Sequence, residues 1–171
     1  MITDQQLLEL PRRVGAHLLS ARHRLVTAES CTGGWIAKAM TDVPGSSQWF
    51  DCGYVTYSNT AKSRDLGVSA KTLVDYGAVS EEVVREMTLG ALKVSGVEVA
   101  VSVSGVAGPD GGTASKPVGL VWFCVGVLNA SGEPQLAASV QRFNGDRDAI
   151  RRAAVEYVLD QLLQLQLPMK S

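Results

Sequence analysis

The chain has 171 residues, 46% of them hydrophobic and 19% charged, with a net charge of −1. That length suits one domain with a sizeable core, and the composition is that of a folded globular protein rather than a disordered one. The near-neutral charge excludes a broad basic surface for nucleic acid, and no apolar run approaches the roughly 20 residues of a membrane helix.

Met1-Ile2-Thr3-Asp4-Gln5-Gln6 has neither the basic start nor the apolar centre of a signal peptide. Thr3 with Gln6 resembles a capping box, and Leu7, Val14 and Leu18 form a helical stripe that Pro11 should kink. Leu25–Ala28 reads as a short buried strand. Thr32–Met40 reads as a helix closed by the turn Asp42-Val43-Pro44-Gly45. Gly53–Tyr57 is a second strand, rich in β-branched and aromatic residues. Ser58 or Asn59 suits the cap of a short helix ending near Gly67. Ser69 and Ser80 suit caps of two further helices, separated by Gly77. Val97–Ser104 is a third strand that runs into the glycine-rich loop Gly105–Gly112. Val118–Leu128 and Leu136–Phe143 read as a hairpin. Asp146 suits the cap of the last helix, whose Ile150, Ala153, Val155, Val158 and Leu162 face inward.

Strands that alternate with helices early and pair as a hairpin late predict an α/β fold: one three-layer domain, a mixed sheet with helices on both faces. The domain is expected over residues 1–167, with 168–171 as a loose tail.

The three cysteines, Cys31, Cys52 and Cys124, are odd in number and contain no CxxC pair. This argues against a disulfide framework or a structural zinc site and for a reducing, cytoplasmic location. No His-x-x-x-His or grouped acidic motif is present, so no metal is expected.

The chemistry centres on Ala28-Glu29-Ser30-Cys31-Thr32-Gly33-Gly34. A serine at a strand-to-helix turn, next to free backbone N–H groups, suits a nucleophile with an oxyanion hole at Thr32, Gly33 and Gly34. Ser30 and Thr32 suit plain helix caps as well. Glu29 suits either a second polar group of the site or a partly buried ion pair. Cys31 is the rival nucleophile, but it lacks a nearby histidine. His17 is on the first helix, and His23 should lie on the order of 20 Å away, at the opposite end of the strand.

The search for a base leads to Lys62. If the first two strands are parallel neighbours, Tyr57 and Lys62 follow the second one to the same sheet edge as Ser30. A free lysine titrates at about 10.4, but burial disfavours its charged form and can make it a base. Tyr57 then relays a proton or holds the lysine. The other reading of Lys62 is a solvated surface residue.

The loop Ser104–Gly112 follows a strand, where α/β sheets bind ligands, and its small residues let backbone amides approach a phosphate. It fits neither a Walker A loop nor GxGxxG, and it also suits a tight connection. Lys116 and Arg147 are either anion contacts or surface charges. Trp35, Trp49 and Trp122 read as packing residues.

Four long stretches, in order, carry a resemblance. They are Thr27-Ala28-Glu29-Ser30-Cys31-Thr32-Gly33-Gly34, then Gly53-Tyr54-Val55-Thr56-Tyr57-Ser58-Asn59-Thr60-Ala61-Lys62, then Gly77-Ala78-Val79-Ser80, and Ser102-Val103-Ser104-Gly105-Val106-Ala107-Gly108-Pro109-Asp110-Gly111-Gly112. Together they resemble the CinA C-terminal domain family over nearly the whole chain. The resemblance implies an amidohydrolase, acting in pyridine nucleotide salvage, that converts nicotinamide mononucleotide to nicotinic acid mononucleotide and ammonia without a metal or organic cofactor. It puts Ser30, Tyr57 and Lys62 at the catalytic positions. With the loop argument, it puts Ser47, Gly105, Ala107, Gly108 and Arg147 around the phosphate. Longer members carry an extra N-terminal domain, whose function is not carried over. The expected partner is this small molecule, not nucleic acid or a membrane, and a homo-oligomer is expected. Two alternatives stand beside it: a non-catalytic nucleotide-binding sensor, and a Ser–Lys amidase for another amide.

Overall fold

The computed structural model describes residues 4–169. Its elements in chain order are α1 (Asp4–Ala21), β1 (Leu25–Glu29), α2 (Trp35–Thr41), β2 (Phe50–Val55), α3 (Asn59–Leu66), α4 (Ala70–Tyr76), α5 (Glu81–Ser95), β3 (Val99–Gly105), β4 (Leu120–Leu128), β5 (Pro134–Arg142) and α6 (Arg147–Leu163). The strands form one sheet in the order β2-β1-β3-β4-β5. β1 runs parallel to both β2 and β3, whereas β4 is antiparallel to β3 and to β5. The mixed sheet is therefore as the sequence predicts.

Alternation along the strands builds the layers. Leu25, Val99, Val101, Val103, Val121, Phe123 and Val125 pack on one face against buried residues of α1, α2 and α6. Val26, Ala28 and Ala100 pack on the other face against α3 and α5. β1 is buried on both faces, as a central strand of a covered sheet must be.

Short-range signals position the helices well. The hydroxyls of Ser58, Ser69 and Ser80 and the carboxylate of Asp146 each accept a backbone N–H at the start of α3, α4, α5 and α6. Pro11 sits within α1. The capping box involving Thr3 lies outside the described residues. Leu165 and Leu167 still pack against the core, and Pro168 borders a surface groove with Gln166.

Element ends shift by one to three residues from expectation, and at α2 and β2 the shift bears on the site. α2 begins at Trp35, not Thr32, because Gly34 at its cap has φ +90°, and residues 31–34 form a turn. β2 begins at Phe50 and ends at Val55, so Tyr57 follows the strand instead of closing it.

α3 comes close to α5 at Gly90. A Cβ there would stand 1.9 Å from the Leu66 carbonyl oxygen at the end of α3. Gly90→Ala must push α3 outward and should cost about 1 to 3 kcal/mol. In a thermal melt each kcal/mol lowers Tm by roughly 2 to 4 °C for a chain of this size. A wild-type Tm in this variant would contradict that packing.

Candidate functional site

The three parallel strands end side by side, and their carboxyl ends form the rim of a cavity. The Ser30 N–H, just past β1, donates to Val103 O of β3 at 3.0 Å. The Thr56 N–H, just past β2, donates to Glu29 O at 2.9 Å. The cavity, of about 310 Å³, is lined among others by Ser30, Tyr57, Lys62, Ser104, Gly108 and Arg147. Ligands of open α/β sheets bind at this end of the strands.

α3 carries Lys62 one turn in from the Ser58 cap, on the helix face turned to the sheet. The lysine side chain is only 1% exposed, and Ser30 is 9% exposed. Lys62 Nζ stands 2.9 Å from Ser30 Oγ and donates to Thr56 O at 2.7 Å. At that Nζ–Oγ distance a charged amine donates to the hydroxyl, whereas a neutral amine accepts the hydroxyl proton. Desolvation pushes the lysine down from 10.5 to about 8. Burial instead pushes the neighbouring Cys31 thiol up to about 12, so it is no thiolate nucleophile near neutral pH.

Glu29 is fully buried and belongs to no ion pair among the described residues. Its carboxylate accepts from Thr32 Oγ1 at 2.7 Å, from the Ile36 N–H at 3.0 Å and from the Ala37 N–H at 2.8 Å. It thus caps α2 across the turn, holding two N–H groups of the helix's first turn. The Gly33 N–H is also used, donating to Ser30 O at 3.0 Å. Thr32, Gly33 and Gly34, the expected oxyanion donors, are not among the residues that line the cavity. The Cys31 N–H has no backbone acceptor among the described residues, and Cys31 lines the cavity.

At the mouth, Arg147 bridges two loops. Its Nη1 donates to Gly108 O at 2.7 Å and its Nη2 donates to the Tyr57 hydroxyl at 2.8 Å. Tyr57 is 59% exposed, and its hydroxyl is joined to Arg147, not to Lys62. Gly105, Ala107 and Gly108 line the cavity, as expected. Ser47 does not. It lies in a turn before β2, two residues from Trp49, whose carbonyl accepts the Leu25 N–H at the opposite end of β1. Lys116 is likewise away from the cavity, with its amine on Tyr76 O at the end of α4. His17 binds Leu165 O at 2.9 Å and His23 is buried ahead of β1, so neither reaches the site.

Two lining residues of the glycine-rich loop, Ser104 and Asp110, carry no individual role in the sequence reading. Ser104 is buried, and its Oγ donates to Ala78 O at 2.7 Å, holding the wall formed by Ala78 and Val79. Asp110 places a carboxylate at the mouth. The position of Ser104, on the strand leading into the glycine loop, was the signal for it.

The fold and this cavity define an α/β protein with a hydroxyl–amine pair at the carboxyl end of a parallel strand. Comparison with known proteins makes the assignment more specific. The model of the CinA C-terminal domain matches residues 7–166, and the chain belongs to that family. It is 50% identical over 163 residues to the nicotinamide-nucleotide amidohydrolase PncC of Escherichia coli K12, covering 95% of this chain and 96% of that one. It is 54% identical over 157 residues to the PncC of Pseudomonas putida, covering 91% and 94%. The crystal structure of a CinA-superfamily protein from Escherichia coli superposes with a TM-score of 0.88 at 35% identity, covering 96% of this chain and 92% of that one.

The depressed lysine has a consequence for stability. Between about 8 and 10.5 the unfolded chain holds a proton on Lys62 that the folded chain has released, so stability rises with pH across that interval. Below it, burial of the charge costs roughly 3 kcal/mol. Chemical denaturation of wild type and Lys62→Met should show the wild type gaining on the variant as pH rises through the interval. Parallel pH profiles would contradict the assignment.

Proposed function

We propose that this chain is a nicotinamide-nucleotide amidohydrolase that hydrolyses the carboxamide of nicotinamide mononucleotide, with Ser30 as nucleophile and Lys62 as general base. The observation that carries the mechanism is the buried Lys62 amine 2.9 Å from Ser30 Oγ. The substrate comes from the names of the PncC relatives.

With Lys62 titrating at about 8, about one molecule in five carries a neutral amine at pH 7.4. That amine takes the Ser30 proton, and Oγ attacks the carboxamide carbon. The developing oxyanion receives the Cys31 N–H, the N–H that follows the nucleophile. Collapse of the tetrahedral intermediate breaks the C–N bond. Lys62 returns its proton to the leaving nitrogen, which departs as ammonia. A water molecule then attacks the acyl ester while Lys62 again takes the proton, and Ser30 is regenerated with nicotinic acid mononucleotide. The substrate's pyridinium withdraws electrons from the carboxamide and assists both attacks.

Arg147 and the amides of the Gly105–Gly108 loop hold the phosphate. Arg147 is supported in this role by its place at the mouth, where Tyr57 and Gly108 orient its guanidinium. Tyr57 acts through Arg147. The same reading carries a cytoplasmic location, a homo-oligomer and a place in pyridine nucleotide salvage, and the three free cysteines support the first.

Ammonia release from nicotinamide mononucleotide, with chelator present, tests the proposal. Ser30→Ala should abolish turnover. Lys62→Arg should lower it by roughly 10²- to 10⁴-fold, because arginine stays charged. The wild-type kcat/KM should rise with pH through an inflection near 8. Removing the phosphate from the substrate should raise KM roughly tenfold or more, and Arg147→Ala should close that gap. Binding without turnover would favour the sensor. A fully active Lys62→Arg would remove the base.

A further inference from the structure

Arg151 lies one helical turn beyond Arg147 on α6 and does not line the cavity. Its Nε donates to Cys31 O at 3.1 Å, and its Nη2 donates to Thr32 O at 2.8 Å. The guanidinium carbon stands 5.3 Å from the centre of the Trp35 ring, and that of Arg152 stands at the same distance. A cation at this distance over an aromatic face is attracted to it.

These bonds complete a set. Three successive carbonyls, those of Ser30, Cys31 and Thr32, are held. Ser30 O accepts the Gly33 N–H at 3.0 Å, Cys31 O accepts from Arg151, and Thr32 O accepts from Arg151 and from the Trp35 N–H at 3.3 Å. A trans peptide is planar, so fixing a carbonyl also fixes the N–H on its opposite side. Gly33 has φ +63°, a left-handed conformation that suits glycine, and a Cβ there would stand 3.4 Å from Arg151 Nη2. From the inner side, Glu29 holds the same turn through Thr32 Oγ1. The turn that carries Ser30 is therefore held between a buried carboxylate on its own strand and an arginine from the last helix.

We infer that Arg151 is a positioning residue for the serine chemistry, acting by locking the Cys31–Thr32 and Thr32–Gly33 peptides so that Ser30 Oγ faces the Lys62 amine and the Cys31 N–H faces the reacting carbonyl. This rests on the proposed role of Ser30. The planar two-point fork is the reason for arginine. A lysine offers one compact ammonium and cannot hold two successive carbonyls in fixed directions. Small misplacements of reacting groups are expensive, about 10²-fold for 1 Å.

The test uses Arg151→Ala and Arg151→Lys, with folding checked by circular dichroism and thermal melting. Two rates are read: steady-state turnover of nicotinamide mononucleotide, and labelling of Ser30 by a small fluorophosphonate that does not need the phosphate contacts. The inference predicts that kcat falls roughly 10- to 100-fold with KM near wild type, and that labelling slows in step. Guanidinium at sub-denaturing concentration should restore part of the lost rate to Arg151→Ala, whereas potassium chloride at equal ionic strength should not. Arg151→Lys, which keeps the charge and the stem, carries the comparison if the alanine variant does not fold. An unchanged kcat, a loss confined to KM, or equal rescue by potassium chloride would overturn the inference while the amidohydrolase stands. No turnover by the wild type, or full turnover by Ser30→Ala, would instead bring down the amidohydrolase reading itself.

Discussion

An amine with almost no solvent contact, set against a hydroxyl at the end of a buried strand, is the constraint around which this chain is organised. Water stabilises an ammonium strongly, and removing it makes the neutral form accessible near physiological pH. The nearby groups do not reverse this effect. Glu29 is engaged with the start of α2, and the Cys31 thiol stays protonated. Lys62 is left with a hydroxyl and a carbonyl as its hydrogen-bond partners. The resulting cost in stability is what the proposed role of Lys62 as a base would require.

The rest of the fold keeps this pair in register. β1 and β2 run parallel, so the segments leaving them emerge at the same edge, and α3 begins within a few residues of that edge. The Ser58 cap and the close approach at Gly90 fix α3 lengthwise and in depth. On the other side of the sheet, α6 sends Arg147 to the mouth and Arg151 to the nucleophile's turn. A single helix thus reaches both the mouth of the cavity and the turn after Ser30.

Local chemistry was the legible part. Ser58, Ser69, Ser80 and Asp146 mark helix starts because a cap satisfies N–H groups two or three residues away. The pairing of Ser30 with Lys62 was legible too, since it needs only two neighbouring parallel strands. Contacts that the three-dimensional path decides were not. A carboxylate at position 29 reaches the amides at 36 and 37 across the turn, and periodicity holds no sign of it. Ser47 was assigned to the site, yet β2 starts at Phe50, which puts Ser47 at the far end of the sheet. Arg151 had one faint signal, its spacing of four from Arg147, which places both on one helix face.

The ionisation state of one side chain is the most direct test. In protein carrying isotope-labelled lysine, the Lys62 signal, assigned by its loss in Lys62→Met, can be followed through a pH titration by NMR. A midpoint near 8 is the predicted result. A midpoint near 10.5, the ordinary value for a solvated lysine, would contradict the account.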